Sequence, residues 1–230
     1  MPDPSPFLRR LAACSALAAT LFMPAHAAPP IHASQAGGSD YYPDYSAEIK
    51  LVEALKKGGF VLVLRHGPTI PQLGPQPREP VPTDPADCTG QRMLSPAGQQ
   101  VSAEAGSAIK GLGFPVGAVL ASPYCRTMHT AWYMFGAAVP EARLMAFRSS
   151  DTEQLKTALD ELVQGFSQEG RNLVLVTHYP LAAKVFHVRQ DEGDALVLKP
   201  YKGRLIPVGL VPSVRWADVL RQAARPASGH

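Results

Sequence analysis

Residues 60–67 read Phe-Val-Leu-Val-Leu-Arg-His-Gly, the most informative stretch of the chain. Five consecutive apolar residues, two of them β-branched, predict a buried strand. The strand runs directly into Arg65, His66 and Gly67, so that a cation and an imidazole stand at its carboxyl end. In open α/β sheets, ligands bind at the carboxyl ends of the strands. The stretch therefore predicts both a central strand and a binding site at its end.

The rest of the chain alternates between strand and helix patterns. Further strands are expected at residues 116–121, 143–147 and 172–177, with a terminal hairpin at residues 195–198 and 205–210. Helices are expected to begin at Ser46, at Ser95-Pro96, near Arg126, at Asp151 and at Ser213. Such alternation predicts a single α/β domain, a three-layer α/β/α sandwich with a mostly parallel central sheet.

Three of the predicted strands end in polar residues. Arg65 and His66 follow the first, Ser122 follows the second with Arg126 one helical turn further on, and His178 follows the strand at residues 172–177. Because the carboxyl ends of parallel strands meet at one edge of a sheet, we expect these residues to converge. Arginine binds phosphate through a planar fork, and histidine can act as a nucleophile. The pattern indicates a site for a dianion.

Residues 1–27 have the pattern of a secretory signal. Arg9 and Arg10 precede an apolar run at residues 11–22, and Ala25-His26-Ala27 fits a small-x-small cleavage site. At about twelve residues the run is too short to span a bilayer. We expect cleavage after Ala27 and a periplasmic or secreted protein; the alternative is a short buried or interfacial helix. Lipid attachment at Cys14 is disfavoured, because a lipid-modified cysteine normally follows the apolar run.

Beyond the leader, residues 28–45 read as a flexible lead-in, residues 46–222 as the domain and residues 223–230 as a tail. The leader carries Asp3, Arg9 and Arg10, so its removal lowers the formal net charge from +3 to +2. The nearly neutral chain has no basic stripe of the kind found in nucleic-acid-binding proteins. No stable membrane insertion is expected after cleavage.

Two cysteines, Cys88 and Cys125, remain after removal of the leader. An even pair in an exported protein predicts one disulfide. Residues 68–85 contain seven prolines, at positions 68, 71, 75, 77, 80, 82 and 85, which excludes a helix or a central strand there. This proline-rich loop is either a tolerated surface insertion or a wall beside the site. The disulfide would pin its end to the helix of Arg126.

Three segments together resemble the histidine phosphatase superfamily. Residues 65–69 match its Arg-His-Gly-x-Thr signature, and residues 122–131 resemble its Ser-Ser-Pro-x-x-Arg-x-x-x-Thr-Ala segment. Val176-Thr177-His178 resembles the third segment, where a second histidine follows a strand. The order and spacing agree from about residue 60 to residue 180. The chain is most similar to small exported members of the phosphoglycerate-mutase-like branch.

The resemblance implies a role for each matching residue. His66 would be the nucleophile that becomes transiently phosphorylated, Arg65, Arg126 and Thr69 would hold the phosphoryl oxygens, and His178 would donate to them. It implies a phosphatase acting on a small phosphorylated substrate, with no cofactor. No Asp/Glu/His cluster at metal-ligand spacing is found in the sequence, so no metal is expected. A mutase is disfavoured, because mutases act on cytoplasmic metabolites.

The proton donor for the leaving oxygen stays open. A general acid is required, and in the mutase-like branch it is a glutamate between the second and third segments. Here Asp151 reads as a helix cap, and Asp160 and Glu161 read as solvated helix residues. The acids that remain are Glu141 and Glu153 from that region and Glu79, Asp84 and Asp87 from the proline-rich loop. None of these acids lies in the sequence context of the family's proton donor. The alternative function is therefore a non-catalytic phosphate-binding module of the same fold.

Overall fold

A computed structural model describes residues 48–71, 79–145, 151–166 and 170–218. The helices are α1 (Glu48–Lys57), α2 (Pro96–Gly111), α3 (Cys125–Phe135), α4 (Thr152–Gln164) and α5 (Tyr179–Val185). The strands are β1 (Val61–Arg65), β2 (Val116–Ala121), β3 (Val139–Pro140), β4 (Asn172–Thr177), β5 (Ala195–Tyr201) and β6 (Arg204–Val211). The signal sequence and the lead-in predicted for residues 1–45, and the cap predicted at Ser46, lie outside the described residues.

The strands form one sheet in the order β3-β2-β4-β1-β5-β6. The strands β3, β2, β4 and β1 are mutually parallel, whereas β5 runs antiparallel to β1 and β6 antiparallel to β5. In register, Arg65 pairs with Thr177, and Ala121 pairs with Val176. The carboxyl ends of β1, β4 and β2 therefore lie side by side at one edge of the sheet.

Two apolar clusters cover the two faces of this sheet. In β1, Leu62 and Leu64 contact the cluster formed with α1, α2 and α3, whereas Val61 and Val63 contact the cluster formed with α4 and α5. Successive strand residues point to opposite faces, so a strand covered on both sides needs an unbroken apolar run. The predicted three-layer α/β/α sandwich is confirmed. In the described ranges, no helix combines the length and the apolar character that a membrane span requires.

The predicted helix starts at Ser95-Pro96 and Asp151 are confirmed. The Ser95 hydroxyl accepts a hydrogen bond from Gly98 N at 3.0 Å, and Asp151 accepts from the backbone N–H groups of the first turn of α4. These side chains satisfy donors that a helix leaves unpaired at its N-terminus. The hairpin predicted near the C-terminus is also present, as β5 and β6.

The strand predicted for residues 143–147 is wrong in its described part. Residues Ala142–Leu144 form a 3-10 turn, and the strand that pairs with β2 is the earlier Val139–Pro140. Leu144 is buried in the cluster below α4. The apolar character of this segment therefore reflects a turn that packs against the core. At the C-terminal side, Ser213–Arg215 forms a 3-10 turn before residues 216–218 become helical.

Candidate active site

The residues predicted to converge lie at the shared edge of β1, β4 and β2. The backbone holds them there: His66 N donates to Thr177 O at 3.0 Å, and Ser122 N donates to Val176 O at 2.9 Å. The rings of His66 and His178 meet edge to face, with centroids 5.5 Å apart. Both histidines are buried, with 2% and 3% of their surface exposed. Sheet topology alone therefore brings the two histidines together.

The His66 ring is held in one tautomer. Its Nδ1 lies 3.0 Å from Gly67 O, and because a carbonyl oxygen can only accept, Nδ1 carries the proton and Nε2 keeps a lone pair. Burial, together with the charges of Arg126, Arg92 and Arg65, lowers the pKa of His66 to about 3, although the hydrogen bond to Gly67 O opposes the shift. A neutral imidazole with an available Nε2 is the form that can attack an electrophile.

Gly67 lets α2 approach the turn that follows His66. A Cβ at residue 67 would lie 2.7 Å from Ser102 Oγ, and a Cβ at Gly98 would collide with Pro68 O. Gly67 N donates to Thr130 Oγ1 at 2.8 Å, and that hydroxyl donates to Arg126 O at 2.7 Å. The turn after His66 is thus bonded to α3, the helix that carries Arg126.

His178 is the last residue before α5 and lies between two side chains from the second segment. Its Nε2 is 2.9 Å from Ser122 Oγ, and its ring meets the Tyr124 ring edge to face at 5.5 Å. Burial holds the pKa of His178 well below its usual value, and the nearby arginines add to the shift. Ser122, which the sequence marked only as a strand end, therefore contacts the second histidine directly.

Arg126 is the most buried cation of the site, with 4% of its side chain exposed. Its guanidinium carbon lies 4.9 Å from the centroid of the Tyr124 ring, and its Nη1 is 2.9 Å from Glu79 Oε2. Burial lowers the pKa of Arg126, and Glu79 opposes that shift. Arginine remains protonated at any relevant pH, so a full positive charge lies in the interior of the site.

Arg65 is fixed by two acceptors from the segment before β5. Its Nη1 donates to Gln190 O at 2.8 Å, and its Nη2 lies 3.5 Å from Glu192 Oε1. Its buried Nε has no hydrogen-bond partner among the described residues. A buried donor without an acceptor is costly, and an oxyanion at this edge of the sheet would satisfy it.

The structure adds two residues that sequence reasoning missed, Arg92 and Glu192. Arg92 Nη1 lies 3.3 Å from Glu192 Oε1, and the charge of Arg92 lowers the pKa of both His66 and His178. Arg92 follows Cys88 closely in sequence, so the predicted disulfide was the signal that could have found it. Glu192 precedes β5, whose antiparallel pairing with β1 brings it to the same edge.

Thr69 contacts Glu192 in this structure. Its backbone N and its hydroxyl both donate to the Glu192 carboxylate, at 2.9 and 3.0 Å. Arg65 Nη2 lies 3.5 Å from Oε1 of the same carboxylate. Thr69 therefore lies next to the site and is linked to Arg65 through Glu192.

The predicted disulfide between Cys88 and Cys125 is present. It ties the segment after the proline-rich loop to the residue that precedes Arg126. Within the described ranges, one cluster has metal-ligand atoms close together, formed by these two sulfurs and His129. In the disulfide both sulfurs are bonded to each other, so neither is the thiolate that a metal would bind.

The fold resembles several solved phosphatases. The protein histidine phosphatase SixA, in a complex with tungstate, matches with a TM-score of 0.51 at 16% identity, over 68% of this chain and 98% of its own. The alpha-ribazole phosphatase from Shigella flexneri matches with a TM-score of 0.49 at 13% identity, over 67% of this chain and 96% of its own. A mutant phosphoserine phosphatase from Entamoeba histolytica, in complex with phosphoserine, matches with a TM-score of 0.46 at 14% identity, over 67% of this chain and 97% of its own.

In sequence, no protein-family model and no curated protein matches the chain. At the identity of the SixA match the similarity concerns the fold alone, so the chain has the fold of histidine phosphatases.

Proposed function

We propose that this protein is an exported phosphatase that hydrolyses phosphomonoesters through a phosphohistidine on His66. The observation that carries the proposal is the state of that imidazole. It is buried and neutral, its Nδ1 proton is bonded to Gly67 O, and three arginine charges act on it. A lone pair surrounded by cations suits attack on a phosphorus atom that carries negative oxygens.

The arginines supply the charge that phosphoryl transfer requires. In-line positioning and stabilisation of the equatorial oxygens account for most of the catalysis of this reaction. Arg126 and Arg65 would bind those oxygens, and His178, held against Ser122, would donate to them as charge develops. The likeness in fold to SixA, which was solved in a complex with tungstate, supports binding of a phosphate-like oxyanion by this protein. The substrate is a small phosphomonoester.

Export is part of the proposal. It is supported by the signal-like pattern of residues 1–27 and by the disulfide, because disulfides persist in oxidising compartments. Fractionation of cells that express the full chain, with mass analysis of the product, tests it. We expect a chain that begins at Ala28 outside the cytosol. A full-length chain that stays in the cytosol would contradict export.

Phosphate release tests the activity. We expect the mature, disulfide-intact protein to turn over p-nitrophenyl phosphate and members of a phosphomonoester panel between acid and neutral pH. His66→Asn should abolish turnover, whereas the matched exchange His187→Asn, at an exposed histidine, should leave it unchanged. If phosphate or tungstate binds but the wild type releases no more phosphate than His66→Asn, the protein is a phosphate-binding module instead.

A further inference from the structure

We infer that Glu79 is the general acid that protonates the leaving oxygen, an inference that rests on the proposed phosphatase function. Both of its carboxylate oxygens lie close to Arg126 Nη1, Oε2 at 2.9 Å and Oε1 at 3.0 Å. Oε1 also accepts a hydrogen bond from the backbone N of Arg92 at 2.7 Å. The carboxylate is therefore attached to the arginine that would hold the phosphoryl oxygens.

Other candidate acids are engaged in contacts that do not involve Arg65, Arg92 or Arg126. Glu141 and Glu161 both pair with Arg143, at 2.7 and 3.5 Å. Asp84 and Asp87 are exposed and accept hydrogen bonds from backbone N–H groups two residues further along their own loop. Each of these carboxylates stabilises a local turn or a surface ion pair, and each would have to leave that contact to reach a substrate.

The acids of α4 are also placed elsewhere. Asp151 caps the helix, while Glu153 and Asp160 line a groove between α4 and the hairpin of β5 and β6. Among the acids considered from sequence, Glu79 is the one that the structure brings to an arginine of the site.

Glu192 is the other carboxylate at this edge, and its surroundings differ from those of Glu79. It accepts two hydrogen bonds from Thr69 and lies within 3.5 Å of Arg65 and 3.3 Å of Arg92. Both oxygens of Glu192 are thus held by Thr69, and one of them also faces Arg65 and Arg92. Glu192 therefore serves as a positioning residue that orients Arg65.

The position of Glu79 depends on the disulfide. Arg92, whose backbone N holds the Glu79 carboxylate, follows Gln91, and Gln91 Oε1 accepts from Cys125 N at 2.8 Å. The bond between Cys88 and Cys125 fixes the same segment covalently. These contacts attach the acid to the start of α3, where Arg126 begins its first turn.

The proposed chemistry balances over two steps. The lone pair of His66 Nε2 forms a bond to phosphorus, the bond from phosphorus to the ester oxygen breaks, and the Glu79 carboxyl gives its proton to that oxygen. The Glu79 carboxylate then takes a proton from water as the water oxygen bonds to phosphorus, and the phosphorus–nitrogen bond breaks. Its electron pair returns to Nε2, inorganic phosphate leaves, and Glu79 is protonated again. A bound dianion would compete with the Glu79 carboxyl for the donors of Arg126.

A comparison of leaving groups tests the inference. The nitrophenolate ion leaves without a proton, whereas an alkoxide requires one. We expect Glu79→Gln to lower kcat/KM for glycerol 2-phosphate by about 10²-fold or more, and to change kcat/KM for p-nitrophenyl phosphate by less than about threefold. Because water activation is also slowed, this variant should show a burst of one nitrophenolate per enzyme. Glu192→Gln, the matched control, should affect both substrates equally.

The results separate this inference from the function on which it rests. If the wild type hydrolyses both esters and Glu79→Gln slows both equally, Glu79 is not the acid although the protein is a phosphatase. If the wild type hydrolyses neither, the proposed function fails and the inference with it. Should Glu79→Gln not fold, Glu79→Asp keeps a carboxyl on a shorter side chain. It should lower activity on the alkyl ester more than on the aryl ester, and an equal loss would overturn the inference.

Discussion

Two halves of the candidate active site are built in different ways. The strand-end half consists of Arg65, His66, Ser122 and His178, which end or follow three adjacent parallel strands. The loop half consists of Glu79, Arg92 and Glu192, which lie in irregular segments and reach the site through side-chain contacts and one disulfide. The sheet ladder positions the first half, whereas a few local bonds position the second. The two halves should therefore respond differently to substitution.

Arg126 interacts with both halves, because it pairs with Glu79 and its charge lowers the pKa of His66 and His178, so its substitution should have the largest effect. We expect Arg126→Lys to lower kcat/KM for p-nitrophenyl phosphate by about 10²–10³-fold, because lysine lacks the planar fork that binds two oxygens at once. Arg171→Lys is the matched control, since Arg171 is exposed and donates to Val116 O at the opposite end of β2. A kcat/KM of Arg126→Lys within about threefold of the wild type would show that catalysis does not depend on this guanidinium.

Removal of the disulfide should loosen the loop half and leave the strand-end half in place. Because the cysteines lie 37 positions apart in sequence, we expect the pair Cys88→Ser and Cys125→Ser to lower the free energy of unfolding by about 4 kcal/mol. We expect kcat/KM to fall roughly tenfold, equivalent to about 1.4 kcal/mol, because Glu79 and Arg92 lose their tether. Denaturant unfolding and steady-state kinetics measure the two effects. Reduced wild type is the control and should match the variant; unchanged stability in both would contradict the account.

The strand-end half should be the more sensitive to acid. The folded state holds the pKa of His66 at about 3, while the unfolded chain takes up a proton near pH 6.5. The contribution of His66 to the free energy of unfolding is therefore fully present above about pH 6.5 and is lost as the pH falls from 6.5 towards 3. Between pH 7 and pH 5 this loss amounts to about 2 kcal/mol. Denaturant unfolding at both pH values should show this loss. In His66→Asn, the loss of unfolding free energy between pH 7 and pH 5 should be about 2 kcal/mol smaller than in the wild type, whereas in His187→Asn it should be unchanged. An equal loss in both variants would contradict an origin in His66.

The same division explains what could be predicted from sequence. Apolar runs predict the strands at residues 60–64, 116–121 and 172–177. Parallel pairing then brings the carboxyl ends of these strands together. The strand predicted for residues 143–147 is wrong in its described part for a related reason. Leu144 is apolar because a turn packs on the core, which periodicity over a few residues does not distinguish from a strand.

The loop half was only partly predictable. Proline composition excluded regular structure at residues 68–85 but did not indicate the path of that loop, so Glu79 could not be chosen over Asp84 or Asp87. Glu192 required knowledge that β5 pairs antiparallel with β1, a choice that no local pattern encodes. Side-chain contacts across long sequence separations decide this half of the site.

Trapping the covalent intermediate tests the central claim most directly. The mature protein would be mixed with p-nitrophenyl phosphate, quenched in alkali, digested and examined by mass spectrometry, with Glu79→Gln included to slow the second step. We predict a phosphoryl group that is stable in base, labile in acid and located on His66, and that is absent from His66→Asn. Phosphate release by the wild type without any phosphorylated His66 would contradict the account.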